Sequence, residues 1–175
     1  MTPPLRSRPD ASEYAPFYHG YVEAVPEGDI VDLLRSGGQE LAEAIERIPE
    51  DRGGFRYGPE KWSIREVLGH LIDAERIFAY RALRVGRGDH TPLASFDENE
   101  YVKTAGSDAR TIADLVRELR AVRETTVMLF ASLPDDAWEL RGVASGKDVS
   151  LRALAYITAG HARHHLRILR ERYAI

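Results

Sequence analysis

Trp62-Ser63-Ile64-Arg65-Glu66-Val67-Leu68-Gly69-His70-Leu71 reads as the start of a long amphipathic helix, and the rest of the fold follows from it. Ser63 with Glu66 three residues on matches a capping box, in which two side chains satisfy backbone N–H groups that the first helical turn leaves free. From there Ile64, Val67, Leu68, Leu71, Ala74, Ile77, Phe78 and Ala82 recur at three- and four-residue steps to about Val85, before Gly86 and Gly88 end the pattern. His70 falls inside that apolar stripe. An imidazole buried there is costly unless a partner satisfies it.

Three further helices follow by the same reasoning. Asp29 is a good N-cap for a helix to about Ile48, with Ile30, Leu33, Leu34, Leu41, Ala44, Ile45 and Ile48 on one face before Pro49, and with Gly37-Gly38 as a weak point where it could kink. Thr111 starts another, carrying Ile112, Leu115, Val116, Leu119, Val122, Thr126, Leu129 and Leu133 until Pro134 stops it. After a turn region to Asp148, Ser150 begins the last, whose stripe is Leu151, Leu154, Ala155, Thr158, His161, Ala162, His165, Ile168 and Leu169. Residues 49–62 form a glycine-rich loop, and residues 88–110 make a connection longer than compact domains usually use, a length common in functional loops. Residues 1–28, rich in proline and in the aromatics Tyr14, Phe17, Tyr18 and Tyr21, read as an extended arm laid over a single domain of residues 29–175; no chemistry is assigned to the arm. Four amphipathic helices without a strand pattern predict an all-α four-helix bundle.

The histidines sharpen the topology. At 1.5 Å rise per residue, His70 lies roughly 10 Å from the start of the second helix, and His165 roughly 12 Å from the end of the fourth. These levels coincide if the two helices are antiparallel. That favours an up-down-down-up bundle, with the 88–110 connection crossing between helices 2 and 3.

His161 and His165 stand one helical turn apart, with Cβ atoms roughly 5–6 Å from each other, near enough for both rings to reach one ion at about 2.0–2.1 Å. Together with His70 they form a candidate site of three neutral donors that leaves a coordination position open, the arrangement of a catalytic rather than a structural zinc site. Zn2+ is the first expectation and Ni2+ the second, because imidazole suits both. The alternative is a knot of core histidines without metal. His164, one position off the stripe, is expected to be exposed or to replace His165, while His19 and His90 lie in loops. Candidate acids or bases are Asp73, one turn after His70, which could instead hold an imidazole, and Asp97, which with Glu98 and Tyr101 could fold over the site from the long loop. Glu66 is explained by its cap.

Composition narrows the partners. A formal charge of -4 and a pI near 5.9 offer no basic field for phosphates, so nucleic acid is not expected. No apolar stretch is long enough to span a bilayer. The absence of cysteine removes thiolate ligands and a cysteine nucleophile, and fits a cytoplasmic protein.

The ordered set Trp62-Ser63-Ile64-Arg65-Glu66-Val67-Leu68-Gly69-His70-Leu71 with Asp73-Ala74-Glu75-Arg76, then Phe96-Asp97-Glu98, then Gly160-His161-Ala162-Arg163-His164-His165-Leu166 resembles the DinB/YfiT-like superfamily over Asp29 to Tyr173. The resemblance implies an up-down-down-up bundle, often a homodimer, that binds a divalent metal through His70, His161 and His165. It also implies a small-molecule substrate. Members are commonly regarded as metal-dependent hydrolases, and several branches as transferases or isomerases that use a low-molecular-weight thiol. The leading expectation is therefore metal-dependent S-transfer of such a thiol to a small electrophile. Hydrolysis by a metal-bound water and a non-catalytic metal-binding stress-response bundle are the alternatives. Ala162 departs from the pattern, since aspartate is expected there in many relatives.

Overall fold

The structure, a computed structural model, describes residues 6–175; the first five residues of the expected arm lie outside the described residues. Four long helices form where the caps predict them. Helix α2 spans Ile30–Glu46, and the Asp29 carboxylate accepts from the backbone N–H of Val31 and Asp32. Helix α3 spans Ile64–Gly86 with both halves of its capping box made: Ser63 Oγ accepts from Glu66 N at 3.0 Å, and Ser63 N donates to Glu66 Oε2 at 2.8 Å. Thr111 caps α5 (Ile112–Ser132) and Ser150 caps α6 (Leu151–Arg172), each hydroxyl accepting from the backbone N–H three residues on, that of Asp114 and of Ala153. Leu133 is already extended, as a residue before proline prefers to be.

The buried apolar side chains sort into two groups that reveal the helix directions. One joins the starts of α2 and α6 (Ile30, Leu34, Leu151, Leu154) to the ends of α3 and α5 (Ala82, Val85, Phe130). The other joins the ends of α2 and α6 (Leu41, Ile45, Leu169) to the starts of α3 and α5 (Ile64, Leu68, Leu115). Helices α2 and α6 therefore run one way and α3 and α5 the other, which is the up-down-down-up order, and the fold is a four-helix bundle. Between the two apolar groups lie the buried polar residues His70, Glu75, Arg123, His161 and His165. The Arg123 guanidinium grips Glu75 through two hydrogen bonds of 2.7 Å and donates to the Leu34 carbonyl. Gly38 makes room for it, since a Cβ there would stand 2.5 Å from Arg123 Cγ. Gly38 thus serves packing, and the helix is continuous across the glycine pair.

The connections hold more structure than expected. The arm folds into 3-10 turns and a short helix α1 (His19–Glu23), and its Glu13 is buried against Arg152 and Ser150 at the start of α6. The 88–110 connection contains helix α4 (Glu98–Thr104). The expected turn region of residues 134–148 includes a hairpin of β1 (Arg141–Ala144) and β2 (Lys147–Ser150), in register Arg141 to Ser150, turning at Ser145-Gly146 where both residues have positive φ. Leu93 bridges to Ala144, tying the long connection to this hairpin. No helix among the described residues is long and apolar enough to cross a membrane.

Candidate metal centre

His70 comes from the second turn of α3, and His161 and His165 come from successive turns at the middle of α6. Antiparallel packing of those helices brings the three rings together, with centroids 4.6–5.0 Å apart. One nitrogen from each ring lies within 4.8 Å of the others, and the Nε2 atoms of His70 and His161 are 3.0 Å apart. All three residues are less than one-tenth exposed. Burial first, and then the neighbouring His164, depresses His70 to about 4. Burial and then the surrounding imidazoles hold His161 and His165 well below the ordinary histidine range. At neutral pH each ring is uncharged and keeps a lone pair, the form that ligates metal.

The donor set fits a divalent ion. Three imidazole nitrogens bound to one zinc at about 2.0–2.1 Å lie roughly 3–4 Å from each other, a small contraction from the spread seen here. His165 Nδ1 is buried with no hydrogen-bond partner among the described residues, so these protein groups alone leave the cluster incompletely satisfied. The nitrogen-only set, without thiolate, suits Zn2+ or Ni2+.

The histidines open onto a cavity of about 210 Å³ with a largely aromatic wall. Trp62 packs on His70 at 4.7 Å between centroids, and Phe78 meets His161 edge-on at 5.5 Å. The arm supplies Phe17, Tyr18 and Tyr21, with Tyr21 5.5 Å from His161 and 5.1 Å from His164. Gly160 permits this approach: a Cβ there would lie 2.0 Å from the Tyr21 carbonyl oxygen. Phe96, Glu98 and Ser145 close the cavity from the long connection and the hairpin turn.

The other expected site residues are distributed differently. Asp73 does not line this cavity; it faces a separate cleft with Gly69, Arg76 and Ser107, where burial raises its carboxyl. Asp97 is the N-cap of α4, accepting from the N–H groups of Asn99 and Glu100, so its carboxylate is engaged by backbone. Glu98, one residue on, does reach the cavity. Tyr101 is half exposed and packs on Phe96. His164, expected to be exposed, is half-buried and lines the cavity because α1 covers it. The arm residues had no assigned chemistry, yet Tyr14, Phe17, Tyr18 and Tyr21 stand at steps of three, one and three, the spacing of one helix face. That spacing was the available signal.

A family model described as the DinB superfamily matches residues 33–169. Among curated proteins, none matches this sequence. Among solved structures, YfiT from Bacillus subtilis, described as a probable metal-dependent hydrolase with an unusual four-helix bundle topology, superposes with a TM-score of 0.74 at 18% identity. That alignment covers 93% of this chain and 94% of the other. A mycothiol-dependent maleylpyruvate isomerase superposes with a TM-score of 0.67 at 14% identity, over 79% of this chain and 58% of that one. At such identities the likeness is one of fold.

Proposed function

The chain belongs to the DinB superfamily, and on that premise we propose that it is a divalent-metal-dependent enzyme joining an intact low-molecular-weight thiol through its sulfur to a small electrophile, the thiol proton being released as the carbon–sulfur bond replaces the bond to the electrophile's leaving group. His70, His161 and His165 are the residues that would hold the ion, Zn2+ before Ni2+. The observation that carries this reading is the cluster itself: three uncharged imidazoles that open onto a cavity able to admit a small molecule. A divalent ion bound there supplies Lewis acidity that lowers the pKa of a coordinated thiol or water.

The chain's own residues do the rest. Trp62, Phe78 and Tyr21 pack against His70 and His161, fixing the rings and excluding water from one side of the cluster. With no cysteine in the chain, the sulfur nucleophile has to come from a separate molecule. The fold likeness to a mycothiol-dependent isomerase supports a thiol co-substrate. The likeness to a protein described as a probable metal-dependent hydrolase supports a second reading, in which water takes the place of the thiol. Of the two carboxylates expected near the chemistry, neither Asp73 nor Asp97 lines the cavity, so we assign neither a step.

Incubation of the metal-loaded protein with an electrophile such as monochlorobimane and a panel of small thiols tests the reading. We expect conjugation above the uncatalysed rate that disappears in His161→Ala. Metal-dependent ester or amide cleavage without conjugation would favour the hydrolase.

A further inference from the structure

Arg81 stands three residues beyond Phe78 and seven beyond Ala74, on the face of α3 that lines the cavity. It is 3% exposed, yet no carboxylate pairs with it among the described residues. Arg123 and Arg152, also withdrawn from water, grip Glu75 and Glu13. That pairing is the ordinary state of a buried charge, because an uncompensated one is costly. Among the described residues Arg81 donates only through Nη2, to the Ala94 carbonyl at 2.7 Å and to Ser145 Oγ at 3.0 Å, and its guanidinium carbon lies 5.8 Å from the Phe96 centroid. Ser145 and Phe96 both line the cavity, so the unpaired charge sits directly behind its wall.

Ser145 brings that charge to the cavity surface. Its Oγ accepts from Arg81 and donates to no other described group, so its hydrogen is left for an acceptor in the cavity. A guanidinium donating to a hydroxyl strengthens it as a donor in turn. The hydroxyl is also firmly placed: Ser145 N donates to the Leu93 carbonyl at 2.9 Å, and Leu93 N donates to the Val143 carbonyl at 2.8 Å. Ser145 has a φ of 54°, a conformation that glycine, asparagine or aspartate adopts more readily, so serine stands here at a backbone cost. Two other charged groups of the hairpin, Lys147 and Asp148, are exposed and share with Arg81 only a hollow of about 10 Å³, room for one water. Glu98, the one carboxylate lining the cavity, is exposed to water that screens it, whereas the Arg81 charge is withdrawn from water and acts more strongly at short range.

We propose that Ser145, backed by Arg81, is the anchor for a carboxylate carried by the small-molecule substrate. One guanidinium and one hydroxyl suit a single negative charge spread over two oxygens. Resting on the S-transfer reading above, this makes the electrophile a small carboxylic acid in its ionised form, with its carboxylate at the Ser145 end and its reactive carbon at the histidine end. With p-(chloromethyl)benzoate, for example, the carbon–sulfur bond forms as chloride and the thiol proton leave, and the carboxylate is unchanged.

The test titrates full-length protein incubated with zinc, at pH 7, with p-toluate and p-toluamide, which differ in the charged group alone, and follows binding by calorimetry. The carboxylate is expected to bind about tenfold more tightly than the amide. The preference is expected to vanish in Arg81→Gln, to fall at least about threefold in Ser145→Gly, a substitution that the positive φ favours, and to persist in Glu98→Gln. Equal binding by the unmodified protein overturns the anchor. So does a preference undiminished in Ser145→Gly, which marks coordination of the carboxylate by the ion, and this result decides the matter even where Arg81→Gln fails to fold. The same proteins are then assayed for conjugation of a small thiol to p-(chloromethyl)benzoate and to the corresponding benzamide, and the benzoate's advantage in kcat/KM is expected to shrink in Ser145→Gly with zinc content unchanged. A binding preference that depends on Ser145, without conjugation of any thiol, removes the S-transfer reading and supports the anchor; conjugation with no carboxylate preference removes the anchor and leaves S-transfer standing.

Discussion

Lowering the pH from 7 to 5 should destabilise the metal-free protein by a route that the histidine cluster dictates. Between about pH 6.5, the ordinary histidine value, and about 4, the value to which burial depresses His70, the unfolded chain binds a proton there that the folded chain does not. Stability therefore rises with pH across this window and is lost as pH falls through it. For His70 alone the loss at pH 5 is about 2 kcal/mol, from about 1.4 kcal/mol per pH unit over the 1.5 units below the unfolded value. His161, His165 and the half-buried His164, also depressed by burial, add loss of the same sign. Domains of this size are commonly stable by only about 5–15 kcal/mol, so the cluster decides whether the apoprotein survives at pH 5. Carboxylates do not confuse the window: Asp89 and Asp114, held low by Arg84 and Arg110, lose their contribution only below the ordinary carboxylate range, and Asp73, raised by burial, acts in the opposite direction. Urea unfolding followed by circular dichroism at pH 7, 6 and 5, with a chelator present, measures the slope. It should show net proton uptake on unfolding that grows as the pH falls towards 5, smaller by about one proton in His70→Gln. A stability that is flat from pH 7 to 5 would refute buried, neutral histidines.

Glu75→Gln should cost about 3–5 kcal/mol by chemical denaturation, because it leaves the buried Arg123 charge without its carboxylate; a cost below 1 kcal/mol would mean the pair is solvated. Gly160→Ala should force α1 off α6, losing about 1–3 kcal/mol and exposing the arm to limited proteolysis, because the new Cβ meets Tyr21 backbone rather than a yielding side chain. Unchanged protease protection would contradict that docking. Ser63→Ala should cost about 1 kcal/mol through loss of its capping bond to Glu66 N, read from the urea midpoint.

Where the determinants are local, the sequence was legible. Asp29, Ser63, Thr111 and Ser150 each cap the helix that their side chains suggest, because capping depends on the next three residues and little else. His70, His161 and His165 could be grouped before any coordinates because helical spacing fixes both their faces and their levels. The hairpin was not legible: between Arg141 and Ser150 only Val143 and Val149 suggest a strand, and the bridge to Leu93 forms only in three dimensions. Asp73 stands a fraction of a turn off the cavity face. Three residues beyond His70 it turns towards Ser107 and Arg76, whereas Ala74 and Phe78 continue the cavity face. Asp97 could have been read as a cap, since it precedes a helix whose first N–H groups it satisfies. The aromatic arm carried a helical spacing, but nothing local says which surface it covers; Gly160, far away in α6, settles that by admitting the Tyr21 backbone.

The central claim is that His70, His161 and His165 hold one divalent ion, and elemental analysis of the purified protein tests it most directly. After incubation with equimolar Zn2+ or Ni2+ and gel filtration at pH 7, the account predicts one ion per chain, lost in His161→Ala and released progressively as the pH falls from 7 to 5, where protons compete for the imidazoles. Less than a tenth of an ion per chain, or a full complement retained in His161→Ala, would contradict it.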